Sequence, residues 1–142
     1  MSVQLAVFME NRPGKLEAIT QALAEEGVNI RGFSMASEGE FGVLKILADD
    51  PDKAFRVLKD RHYTVSRRTV EIALIDDRPG SLHALLAALS ARSINIEDCY
   101  GVALEEGRQA AIVLDVERFP EAEAVLKSRG LHLLSDRELT SL

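Results

Sequence analysis

Tryptophan is absent, cysteine occurs once, and aromatic residues make up only 5% of the 142 positions. The lone Cys99 excludes an internal disulfide framework and a cysteine-rich metal site, which fits a reducing compartment and a core or strand residue. The shortage of aromatics excludes an RNA-binding sheet that stacks bases, since the strand-like run 109–116 contains none. Positive charge is not in surplus either. The formal net charge is -6, so the clustered lysines and arginines that phosphate contacts need are missing, and nucleic acid is excluded as a partner. The acidic excess lies in the second half: residues 1–70 carry ten basic and ten acidic groups, residues 71–142 seven and thirteen. This reads as a solvated acidic surface. No apolar run approaches the roughly 20 residues of a membrane span, and the start MSVQLAVFMENRPG lacks the charged lead and long apolar stretch of a secretory signal. The expectation is a soluble cytoplasmic protein with no membrane partner.

Hydrophobic content, by contrast, is ample at 46%, and it is arranged in two copies. Asn11-Arg12-Pro13-Gly14-Lys15-Leu16 returns as Asp77-Arg78-Pro79-Gly80-Ser81-Leu82, and Asn29-Ile30 returns as Asn95-Ile96, both at the same interval of 66 residues. Further on, Val57-Leu58-Lys59 matches Val125-Leu126-Lys127 at an interval of 68, which places two extra residues in a turn near Glu105-Glu106-Gly107. Two landmarks that keep one register are not a chance match.

Each copy has the same periodicity. Residues 3–9 and 69–76 are apolar and β-branched and stop at Pro-Gly, as strands ending in turns do. Leu16, Ile19 and Leu23, and then Leu82, Leu85, Leu86 and Leu89, recur at helical spacing, with Pro13 and Pro79 at the helix entrances. Gly27 suits the left-handed helix stop, and Ser93 takes its place in the second copy at a cost of roughly 1 kcal/mol. Strand pairs are expected at 29–37 with 41–48 and at 95–104 with 109–116, second helices at 52–61 and 120–129, and short closing strands at 63–67 and 131–135. The order is βαββαβ twice, an α+β chain of two ferredoxin-like domains in tandem, 1–67 and 68–142, whose antiparallel sheets carry their helices on one face. Val43, Leu47, Ala111 and Val113 fall on the opposite face, and an apolar face of that kind points to a homodimer or higher homo-oligomer.

Catalytic groupings are not found. His62, His83 and His132 fall on different elements without metal spacing or a nucleophile beside them, and Asp76 and Asp77 point to opposite sides of a strand. A copper-binding loop needs a second cysteine. No cofactor is implied, and no enzyme. The repeated turn fits another chemistry. Amides around Gly14, Lys15 and Leu16, or Gly80, Ser81 and Leu82, lie at a helix start and can receive a carboxylate. The side chain of Asn11 or Asp77 can accept from an ammonium. A free amino acid carries both groups on one carbon. The competing reading of Asn11 and Asp77 is that they only cap their helices.

The segments 10–14 with 26–30, and 77–80 with 94–96, closely resemble the ACT domain family, once per copy and over nearly the whole chain. The resemblance implies a non-catalytic regulatory module that binds a free amino acid at the interface between its two domains and acts on a separate partner, an enzyme or a transporter. The first copy is similar to serine-sensing ACT domains, in which asparagines matching Asn11 and Asn29 hold the effector; a histidine expected two residues before Asn11 is Met9 here, a departure from serine. The second copy looks more like the ACT domains of aspartate kinases, in which an aspartate matching Asp77 contributes. The implied ligand residues are Asn11, Arg12, Gly14, Lys15, Leu16 and Asn29, and Asp77, Arg78, Gly80, Ser81, Leu82 and Asn95. The alternative is a ligand-free dimerisation module.

Overall fold

The computed structural model describes residues 1–141. In chain order the elements are β1 (Ser2–Glu10), α1 (Lys15–Glu25), β2 (Ile30–Glu38), β3 (Phe41–Ala48), α2 (Pro51–Asp60), β4 (Thr64–Asp76), α3 (Ser81–Ser90), β5 (Ile96–Glu105), β6 (Gln109–Val116), α4 (Phe119–Ser128), β7 (His132–Leu133) and α5 (Asp136–Thr140). They form two compact units. The N-terminal unit is Val3–Arg68 with a short piece beginning at Leu139; the C-terminal unit is Thr69–Glu138 with Met1–Ser2.

In the N-terminal unit the strands lie in the order β2-β3-β1-β4, with β1 and β2 antiparallel to β3. Leu5 stands opposite Ile46 and Val7 opposite Leu44, which puts alternate apolar side chains on one face. That face packs on Ile19 and Leu23 of α1 and on Ala54 and Leu58 of α2, all fully buried, each large side chain stabilising the unit by about 2 kcal/mol. Asp50 caps α2 by accepting from Lys53 N at 3.0 Å, with Pro51 in the first turn. Gly27 ends α1 at a φ of 72°.

The C-terminal unit repeats the plan. Its strands lie in the order β5-β6-β4-β7, so the later half of β4 has the place that β1 has in the other unit. Ala73 on β4 packs with Leu85 and Leu89 of α3, Leu114 of β6 and Leu126 of α4. Ser93 follows α3 at a φ of 52°, the left-handed conformation that Gly27 adopts after α1.

The fold is the expected α+β pair of βαββαβ units, and the differences have local causes. The closing strand of one copy and the opening strand of the next are a single 13-residue strand, β4, because no turn residue interrupts 64–76. The last strand shrinks to two residues, since Ser135 and Glu138 form a capping box that starts α5: Glu138 N donates to Ser135 Oγ at 3.2 Å and Ser135 N to Glu138 Oε2 at 2.8 Å. Pro13 and Pro79 sit in the turns ahead of Gly14 and Gly80, the residues at the helix N-caps. Leu82 is exposed rather than in the core, and so is Cys99 on β5. Of the face expected to drive a homo-oligomer, Leu47, Ala111 and Val113 are already buried within one chain and Val43 is half-buried, so little of it is left for a second copy.

Candidate functional site

The two Arg-Pro-Gly turns have the same backbone. Each runs from the end of a strand to a helix whose N-cap is a left-handed glycine, Gly14 at a φ of 85° and Gly80 at 90°. A side chain at either glycine meets no atom within 4 Å, so conformation demands the glycine and the backbone there is open to approach. The first intrahelical bonds are Ala18 N to Gly14 O at 3.0 Å and Ala84 N to Gly80 O at 2.9 Å, while Lys15 N and Ser81 N turn back to Arg12 O and Arg78 O. The amides of Leu16 and Glu17, and of Leu82 and His83, therefore lie at the positive end of a helix beyond the reach of its own carbonyls.

Asn11 and Asp77 do not cap these helices. Each ties its turn to the neighbouring hairpin, with opposite polarity. Asn11 Nδ2 donates to Gly39 O at 3.0 Å, whereas Asp77 Oδ2 accepts from Gly107 N at 2.9 Å. The residue types follow from this, since an amide can donate and a carboxylate cannot. Arg12 and Arg78 fold back on Glu10 and Asp76, at 2.7 and 3.0 Å, both pairs exposed.

Asn29 and Asn95 are at the other end of their units. Asn29 exchanges backbone and side-chain bonds with Asp49, and Asn95 accepts from Glu117 N and donates through Nδ2 to Glu97 Oε1 at 3.2 Å. Asn11 lies by the Gly39–Glu40 turn, so the eight residues of β3, about 26 Å, separate it from Asn29. Within a unit, therefore, the turn and the Asn-Ile landmark do not share a site.

One buried charge escaped the sequence reading. Glu71 is fully buried on the helix-facing side of β4, where the repeat interval puts Leu5 in the first copy. Neither of its carboxyl oxygens has a donor. Its neighbours are the Met1 amino group, Glu123 and Lys127, and Glu123 is itself held by Lys127 at 2.5 Å. Burial above all, opposed by the Met1 amino group and reinforced by Glu123, pushes the Glu71 carboxyl up to about 7. The hydrogen bond from Lys127 holds Glu123 below the usual carboxylate range. A proton on Glu71 supplies the missing donor towards Glu123.

The turns also adjoin cavities. One of about 620 Å³ in the C-terminal unit includes Asp76 and Ser81, and one of about 280 Å³ in the N-terminal unit includes Glu10 and Lys15, the matching residues. Among the described residues no group of three or more His, Cys, Asp or Glu side chains is placed to hold a metal ion.

A family model described as an ACT domain pair matches residues 1–142. The chain belongs to that family. Protein BT0572 from Bacteroides thetaiotaomicron is 33% identical, with a TM-score of 0.93 over 99% of this chain and 96% of that one. The regulatory subunits of aspartate kinase from Thermus thermophilus (16% identity, TM-score 0.70, 90% of each chain) and Thermus flavus (17%, 0.62, 88% of each chain) share the fold. None of the curated proteins compared matches the chain. This ACT domain pair has the expected βαββαβ repeat, and among the described residues no helix is long and apolar enough to cross a membrane.

Proposed function

We propose that this ACT domain pair is a non-catalytic cytoplasmic sensor: it binds a free amino acid at its Arg-Pro-Gly turns and regulates a separate enzyme or transporter. The observation that carries the reading is that both units build the same open turn, a left-handed glycine before a helix start with unused amides beside a polar side chain. The amides of Leu16 and Glu17, or Leu82 and His83, suit a carboxylate, and the remaining side-chain oxygen of Asn11 or Asp77 suits an ammonium. The likeness to regulatory subunits of aspartate kinase supports a regulatory role.

A second reading is a ligand-free interaction module. It is favoured by the hairpin bonds of Asn11 and Asp77, which give both residues a structural use, and by Phe8, Phe33 and Phe41, each more than half exposed. The same phenylalanines now carry the case for a homodimer or larger assembly. Thermal unfolding of the full chain against the common amino acids separates the two readings. The sensor gains several degrees from its ligand and loses that gain in Asn11→Ala or Asp77→Ala; in the interaction module no amino acid gives a gain that either variant removes.

A further inference from the structure

The cavity of the C-terminal unit has an apolar floor that includes Leu74, Leu85 and Leu131 and a polar mouth with Ser81, Arg129 and His132. Its volume of about 620 Å³ is within the usual range for small-molecule sites. The repeat shows why it is wider than its counterpart of about 280 Å³. Lys15, Phe41 and Tyr63, which crowd that counterpart, are matched by Ser81, Gln109 and Leu131.

The repeat also shows a missing charge. Arg61, just after α2, pairs with Glu25 at 2.7 Å. Arg129 occupies the same position after α4, but the residue that matches Glu25 is Ala91. Among the described residues Arg129 has no ion-pair partner, although it lines the cavity. The other charged groups at the mouth are engaged, His132 with Glu138 at 2.9 Å and Asp76 with Arg78 at 3.0 Å.

We propose that this cavity is a binding site for a small aliphatic carboxylate, with Arg129 as the anchor for the carboxylate and the apolar floor covering the hydrocarbon. A guanidinium suits a carboxylate because its donors fit both oxygens at once. Branched aliphatic amino acids and their 2-oxo acids share this chemistry and differ at the α-carbon. The site is distinct from the turn, with which it shares only Ser81, and it stands whether or not the turns bind a ligand.

Calorimetric titration of the full chain with L-leucine, 4-methyl-2-oxopentanoate and isopentylamine tests the proposal. At least one carboxylate binds, and the amine, which lacks the carboxylate, does not. Arg129→Gln removes the anchor, and Ala91→Glu, at an exposed position, restores the acid that the first copy has; each weakens carboxylate binding about tenfold or more. The proposal is overturned if neither carboxylate binds at about 10 mM, if the amine binds equally well, or if either Arg129→Gln or Ala91→Glu binds like the wild type. Binding lost in Asp77→Ala but kept in Arg129→Gln moves the ligand to the turn, which overturns this proposal and supports the sensor.

Discussion

At Glu71 the two copies differ sharply in chemistry: a carboxyl is buried where the first copy buries Leu5. Its folded value near 7 is above the unfolded value of about 4.5, so the folded state holds the extra proton between the two. The stability this group contributes is therefore fully present below about pH 4.5 and lost as pH rises through about 7. Glu71→Leu is expected to raise stability at pH 8 by about 1–3 kcal/mol, seen as a higher melting temperature, and to do little at pH 5. Equal gains at both values contradict a titrating Glu71. A second contrast comes from the hairpin bonds. Asp77→Asn keeps an oxygen for Gly107 N and is expected to melt near the wild type, whereas Asn11→Asp sets a carboxylate against Gly39 O and costs about 1–2 kcal/mol by denaturant unfolding.

Among the elements, the turns ahead of α1 and α3 depend on left-handed glycines, and the turn after α3 uses a serine instead. Gly14→Ala or Gly80→Ala is expected to cost about 1–2 kcal/mol, and Ser93→Gly to return about 1 kcal/mol, each measured by chemical denaturation. These turns were readable from sequence because Pro-Gly and Gly mark backbone conformations that few other residues allow. The joining of two strands into β4 was less readable: Arg67-Arg68-Thr69 contains no breaker, and periodicity alone does not say whether a strand ends. The short α5 did have a signal, the Ser135 and Glu138 spacing of a capping box, but it lay where a closing strand was expected.

In the whole molecule the repeat made the architecture legible, because an interval of 66 residues, lengthened to 68 after the turn near Gly107, placed the elements of the second copy up to β7 from those of the first. The same interval applied residue by residue finds what pattern reading missed, Glu71 in place of Leu5 and Ala91 in place of Glu25. The role of Asn11 and Asp77 was not legible, since capping and hairpin bonding use the same residue types and only coordinates separate them. The central claim, that the Arg-Pro-Gly turns hold a free amino acid, is tested most directly by thermal unfolding of the wild-type chain and Asp77→Ala against the common amino acids. The account predicts that one amino acid, at about 100 times its dissociation constant, adds roughly 2.7 kcal/mol and several degrees to the wild type and nothing to the variant. No shift with any amino acid, or the same shift in both proteins, contradicts it.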